Sequence, residues 1–398
     1  MAQQLLKKKL ALSSNYAVAY AVKALDVDVI AAYPITPQTH VVEKLSEFAA
    51  NGEIDAEMIH VESEHSALSA VIGASAAGAR VFTATASQGL ALMHEVLHIA
   101  SGMRLPIVMS IATRALSAPI SIWNDYSDVM NARDTGWIIY FTSSAQETHD
   151  TVIQAYRVAE NPKVHLPVMV AYDGYIMSHT VEPVEVVEKD EALRYAPKKV
   201  TWPKLDPDQP ITMGTITSPD WYYEFKYQQV VAMREALRAA EEADKEYGRM
   251  FGRSYGVVEG FMLEDADVAL ITMGAFANTA KVAAVEARKQ GVKAGVLRLR
   301  LYRPFPRDAI IKMLSNVSAV GVVDKAISFG APVEGPVFNE VAGAFYSSDN
   351  KPVLVSFIAG IGQRTVLVED FVSMFKKLLD YAKTGRGPGE SIYVGVRA

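Results

Sequence analysis

A doubly wound α/β fold is predicted for this chain from three observations. First, apolar runs of strand length alternate with helix-length segments between about residues 15 and 180: Val27–Tyr33, Met58–Val61, Val81–Thr85, Pro106–Ala112, Trp137–Phe141 and Pro167–Tyr172. Strands spaced by helices indicate a parallel sheet with crossover helices. Second, the segment from Ser66 to Ile72 continues through Gly73 to Ala79 in small and apolar residues, suited to close packing under a sheet. Third, Thr36, Glu64, Ser87 and Arg114 each follow a predicted strand directly. In doubly wound folds, ligands lie beyond the carboxyl ends of strands, so four such residues mark one candidate site.

The rest of the chain divides in the same terms. Periodicity is lost from Glu182 to Tyr227, where Pro197, Pro203, Pro207, Pro210 and Pro219 fall, and a long surface connection is expected there. A charged helix is predicted over about Lys226–Tyr247. A second α/β alternation follows, with strands at Val268–Met273, Gly295–Leu299, Ala319–Val323 and Pro352–Phe357, and helices at Ala275–Gln290 and Asp370–Tyr381. The expected division is a first domain over 1–232, a connecting helix over 233–262 and a second domain over 263–398. The halves show no convincing internal repeat.

At 398 residues, two or three domains are expected. Half the residues are hydrophobic and 21% are charged, which excludes general disorder. A net charge of -6 leaves no basic surplus for non-specific nucleic-acid binding. The short basic run Lys7-Lys8-Lys9 reads as a solvated tail. The chain has no cysteine, hence no disulfide, thiol nucleophile or thiolate ligand for an iron–sulfur cluster. Any redox centre that serves it must be held by another polypeptide. The segment Met1–Ser14 lacks the apolar core of a signal peptide, and the longest apolar stretch, Ile107–Trp123, is interrupted by Arg114. A soluble, cytoplasmic protein without membrane contact is expected.

Five segments carry candidate chemistry. Tyr33-Pro34-Ile35-Thr36-Pro37-Gln38-Thr39 is a Pro-bracketed turn that presents a hydroxyl. In Val61-Glu62-Ser63-Glu64-His65-Ser66-Ala67, Glu64 opens an apolar helix, where Ser63 as N-cap and the helix dipole would account for an acid equally well. His60, Glu62, Glu64 and His65 suggest a metal, but the run crosses a strand-to-helix turn and need not converge. Thr83-Ala84-Thr85-Ala86-Ser87-Gln88-Gly89 lets backbone approach a ligand, and Ser87 as a helix cap explains the same residues. Arg114 at a strand end is suited to a carboxylate through paired hydrogen bonds, with an ion pair to Asp125 or Asp128 as the structural alternative. Trp123 is expected to pack. Asp173-Gly174-Tyr175 with Ser178-His179 reads as structural or interfacial. His94-Glu95-Val96-Leu97-His98 matches the H-E-x-x-H zinc pattern, yet residues 99–124 hold no His, Asp or Glu to complete a zinc metallopeptidase site. No P-loop, G-x-G-x-x-G or G-x-S-x-G pattern occurs.

The Thr36 and Glu64 segments, with their spacing, resemble the alpha chain of the thiamine-diphosphate-dependent 2-oxoacid:ferredoxin oxidoreductases. The likeness extends through the Pro-rich segment with Gly214–Tyr227 to Tyr302-Arg303-Pro304-Phe305-Pro306, and loosens at Gly360-Ile361-Gly362-Gln363-Arg364-Thr365. It implies a pyrimidine-type thiamine-diphosphate-binding domain followed by a transketolase C-terminal-like domain. It implies oxidative decarboxylation, in which a 2-oxoacid and coenzyme A give acyl-coenzyme A, carbon dioxide and reduced ferredoxin. Pyruvate is the implied substrate and 2-oxoisovalerate the branched-chain alternative. Glu64 would share a proton with the cofactor's aminopyrimidine ring, and Thr36 and Arg114 would contact the substrate carbonyl and carboxylate. Pro34, Ser87, Gln88 and Gly89 would join Glu64 around the cofactor. A beta subunit would hold the diphosphate, its Mg2+ and a [4Fe-4S] cluster. Gamma and ferredoxin-like delta subunits would complete the complex. No metal is expected on this chain.

Overall fold

The computed structural model of the chain describes residues 8–200 and 202–397. Lys7, and the segment before it in which a signal peptide was sought, lie outside the described residues; Lys8 and Lys9 are exposed. The first half contributes strands β1 (Lys9–Leu12), β2 (Val29–Ala32), β3 (Glu57–His60), β4 (Val81–Thr85), β5 (Val108–Thr113), β6 (Ile138–Phe141), β7 (Val168–Asp173) and β8 (Glu182–Glu185). The second half contributes β9 (Val258–Phe261), β10 (Val268–Thr272), β11 (Ala294–Leu299), β12 (Leu301–Arg303), β13 (Ala319–Asp324), β14 (Val353–Ala359) and β15 (Ile392–Val394).

The expected parallel sheet forms, in the order β12-β6-β7-β5-β4-β2-β3. From β6 to β3 every neighbouring pair is parallel. Strands β4, β5 and β7 are buried along their whole length, as a sheet covered by helices on both faces requires. A second sheet runs β15-β14-β13-β10-β11-β9, parallel except for β9 at its edge. This is the doubly wound α/β architecture predicted above, with two differences.

The segment after Glu182 is more ordered than its prolines suggested. Strand β8 pairs antiparallel with β1 as a small separate sheet, Lys189–Tyr195 is helical, and the charged helix starts at Pro219. That helix spans 33 residues to Phe251, with proline at its first turn and Gly252 at φ 75 closing it. Its buried stripe is Ala232, Ala236, Ala239, Ala240, Ala243, Tyr247 and Phe251. The 3–4 residue spacing of small side chains lets it pack closely on the helix Ala145–Ala159.

The second difference is that β12, from the second half, joins the first sheet antiparallel to β6. A buried charge cluster locks the same seam. Glu147 accepts from Arg298 Nη1 at 2.8 Å and Arg300 Nε at 2.9 Å, and Arg300 Nη2 donates to Thr151 and Gln154, both at 2.9 Å. Burial works to raise the Glu147 carboxyl, but the two guanidiniums hold it below its ordinary value. One hydrophobic core runs through both halves, and a second lies between the helices Phe276–Lys289 and Val368–Thr384 and the second sheet.

Candidate functional site

The sheet order sets the site. Strands β5, β4, β2 and β3 are consecutive neighbours, so the turns after them form one continuous ledge. Arg114 follows β5 directly, Ser87 lies just beyond β4, and Thr36 and Glu64 follow β2 and β3. Ala32 pairs in register with His60, which places Thr36 and Glu64 at matching distances beyond their strands.

Glu64 is 7% exposed at the start of the helix Glu64–Ala76, and Ser63 is its N-cap, accepting from Ser66 N at 3.2 Å. The capped helix end and the inward-facing acid therefore coexist. No hydrogen-bond partner for the Glu64 carboxylate is present among the described residues. Gly89 lies against it: a Cβ built there would be 2.6 Å from Glu64 Oε1 and 2.8 Å from its Cγ, and would also collide with Thr85 Oγ1. That Thr85 hydroxyl is buried without a partner. A buried acid without a hydrogen-bond partner and an orphaned hydroxyl together suit a ligand that can share a proton with a carboxylate, and glycine at position 89 is what lets both side chains lie against this helix.

Arg114 is also 7% exposed. Its guanidinium donates to Thr36 O at 2.8 Å, Ser121 O at 3.1 Å and Gln88 Oε1 at 3.4 Å. The anticipated ion pair with Asp125 or Asp128 is not formed; Asp128 Oδ2 instead accepts the Arg114 backbone N–H at 3.0 Å. Each terminal nitrogen of Arg114 keeps one N–H beyond these bonds. Arg114 thus links the turns bearing Thr36 and Gln88, which local sequence did not indicate.

Ser87 corrects one expectation. The N-cap is Ala86, and Ser87 is the first helical residue, at φ 47. Its hydroxyl lies 2.7 Å from Ala115 O and 2.6 Å from Gln88 Oε1, bridging the β4 and β5 turns rather than capping. Thr36 is exposed, and its carbonyl rather than its hydroxyl meets Arg114. Pro34 is exposed on the same turn. Trp123 is 48% exposed and leans on Tyr175, with ring centroids 4.6 Å apart, so its packing is half-open.

Behind the ledge lies a polar network for which the sequence offered only isolated residues. Lys325 Nζ is buried against Asp173 and Asn124, and Asp173 also accepts from Ala275 N at 2.7 Å and Tyr126 OH at 3.1 Å. These bonds tie the first domain to the second, consistent with an interfacial role for the Asp173 segment. Gly362 N donates to Asp125 Oδ2 at 3.1 Å, and Asn124 N donates to Gln363 Oε1 at 3.2 Å. The only signal in the sequence was the density of polar residues between Ser121 and Asp128.

His94 and His98 face each other edge to face, with centroids 5.3 Å apart, while Glu95 lies 3.5 Å from His65. Burial first, then His94 and Lys226, lower the His98 imidazole. Among the described residues no group of three or more His, Cys, Asp or Glu side chains is placed to hold a metal ion. No helix among them is long and apolar enough to cross a membrane.

Comparison with known proteins bears on this arrangement. Residues 20–245 match the family model described as pyruvate flavodoxin/ferredoxin oxidoreductase, thiamine diphosphate-binding. The chain belongs to that family. Residues 266–371 match core domain II of pyruvate:ferredoxin oxidoreductase. A pyruvate synthase subunit PorA of Methanocaldococcus jannaschii is 50% identical over 366 residues, 90% of this chain and 92% of the relative. A ketoisovalerate oxidoreductase subunit VorA of Pyrococcus abyssi is 43% identical over 383 residues, 95% and 96% of the two chains. Among solved structures, a 2-oxoglutarate:ferredoxin oxidoreductase of Magnetococcus marinus superposes with a TM-score of 0.72 at 18% identity, covering 94% of this chain and 66% of that one. A split-gene transketolase in its inactive β4 tetramer does so with a TM-score of 0.57 at 14% identity, over 93% and 99%. The predicted pairing of a thiamine-diphosphate-binding domain with a transketolase-like second domain stands on these likenesses.

Proposed function

We propose that this chain is the alpha subunit of a 2-oxoacid:ferredoxin oxidoreductase that acts on pyruvate and works only within a multi-subunit complex. The observation that carries the reading is the ledge on which Thr36, Gln88, Gly89 and Arg114 converge with Glu64. Bound thiamine diphosphate would supply the electron sink that lets a 2-oxoacid lose carbon dioxide. On this chain, Glu64 holds the proton shared with the aminopyrimidine ring, and Gly89, having no side chain, leaves the carboxylate room to stand where it does. Arg114 orients the substrate carboxylate with its two remaining N–H groups, while Thr36 and Gln88 are held beside it. Pro34 and Ser87 shape the turns around the cofactor.

As the family resemblance implies, the reading assigns the diphosphate and its Mg2+ to a beta subunit, together with a [4Fe-4S] cluster for which this chain, without cysteine, has no thiolate ligands. Gamma and delta subunits, coenzyme A as acyl acceptor and ferredoxin as electron acceptor complete the reaction, in the cytoplasm. We divide the chain at 1–232, 233–262 and 263–398, the helix Pro219–Phe251 beginning within the first part and ending within the second. The 43% identity to a ketoisovalerate oxidoreductase subunit favours a second reading, with 2-oxoisovalerate as substrate. The experiment is to co-purify the chain with its native partners and follow dye reduction with pyruvate or 2-oxoisovalerate, omitting coenzyme A or the 2-oxoacid in turn. Reduction that needs both pyruvate and coenzyme A is expected. A stronger requirement for 2-oxoisovalerate selects the second reading. No reduction by a complex loaded with thiamine diphosphate and iron–sulfur clusters overturns both.

A further inference from the structure

We propose that Asp128 is the positioning residue for the substrate anchor: its carboxylate fixes the backbones of Ser87 and Arg114, and so aims the Arg114 guanidinium. Asp128 is 2% exposed, behind the ledge. Its Oδ1 accepts the N–H of Val129 at 2.8 Å, within the first turn of the short helix Ser127–Asn131. Its Oδ2 serves elements far away, accepting Ser87 N at 2.9 Å and Arg114 N at 3.0 Å. One oxygen therefore joins Ser87 and Arg114, one or two residues beyond two adjacent strands, each bearing a polar side chain of the proposed site.

Two features make that junction more than scaffolding. Ser87 is held at φ 47, a left-handed conformation that costs a non-glycine residue energy and persists only under outside constraint. The Arg114 side chain leaves the pinned amide to reach three separate acceptors, so a small rotation of its backbone would swing the guanidinium off Thr36 and Gln88. A buried ionisable carboxyl is costly, and burial raises Asp128 to about 7 against the lowering by its three amide donors.

The inference rests on the reading of Arg114 as the carboxylate anchor, and the test separates the two. In the complete complex, Asp128→Ala should raise the pyruvate KM on the order of tenfold, change kcat by less than about threefold and leave bound thiamine diphosphate unchanged. In an Arg114→Lys background the same change should add little, because the group it aims is already lost. A normal KM in Asp128→Ala, or a full extra loss on top of Arg114→Lys, overturns the positioning role. A normal KM in Arg114→Lys alone overturns the anchor itself. Should Asp128→Ala fail to assemble, adding Ser87→Gly is expected to restore the complex, since glycine adopts that φ unaided, with the raised KM persisting. Failure of this double variant to assemble would make Asp128 a folding residue only, and the proposal would fall.

Discussion

Replacing Gly89 with alanine should disable the subunit without unfolding it. The added methyl would press on the buried Thr85 Oγ1 and would be placed 2.6 Å from Glu64 Oε1 and 2.8 Å from Glu64 Cγ. Carbon contacts are comfortable at about 3.5 Å or more, so the carboxylate must withdraw by roughly 1 Å. A displacement of roughly 1 Å in a group that must meet its partner at hydrogen-bond distance costs on the order of 100-fold in rate. Gly89 lies within the helix Ser87–Leu92, and no positive φ requires glycine there. Alanine is the better helix former by about 1 kcal/mol, which works against any loss of local structure. The assay is 2-oxoacid-dependent dye reduction by the complete complex, with bound thiamine diphosphate measured in parallel. Turnover within about threefold of normal at full cofactor content would mean that Glu64 does not act from this position.

Further predictions concern the anchor and the acid–base behaviour of the fold. Arg114→Lys should raise the pyruvate KM on the order of tenfold, because an ammonium cannot reproduce the two-pronged contact; steady-state kinetics with an unchanged KM would count against the clamp. Asp324, buried where it accepts Val337 N at 2.9 Å and Phe338 N at 3.1 Å, is raised by burial to about 7. Its unfolded value is about 4, so the folded state holds the extra proton between those limits, and its contribution to stability is lost as pH rises from about 4 to about 7. Asp324→Asn should remove one proton from that dependence, about 1.4 kcal/mol per pH unit at the steepest point, seen as a flatter plot of melting temperature against pH. Identical plots for both proteins would refute the assignment.

Much of this structure was legible because its strands are buried on both faces. Val81–Thr85 was bounded to the residue, and the other long parallel strands to within two or three, since a continuous apolar run is what such a strand requires. Strand β12 was not legible: three residues carry no periodicity, and its partner β6 lies about 160 positions earlier in the chain. Strand β8 was hidden by Pro183, which is tolerated because the strand has only one neighbour. The four strand-end residues were readable because each follows an apolar run. What joins them was not, because it consists of backbone groups. Arg114 meets the carbonyl of Thr36, and Asp128 meets the amides of Ser87 and Arg114, bonds that no residue type announces. The close approach of Glu64 to the helix backbone likewise needed the position of Gly89, a residue that sequence could mark only as permissive.

The central claim is that Glu64 is the carboxylate that activates the cofactor. The most direct measurement is the rate of deuterium exchange at the reactive carbon of thiamine diphosphate, in wild-type and Glu64→Gln complexes matched for cofactor content. A rate lower by on the order of 100-fold in the variant is predicted, since glutamine accepts and donates hydrogen bonds but cannot take up the shared proton. Equal rates in the two complexes would contradict the account.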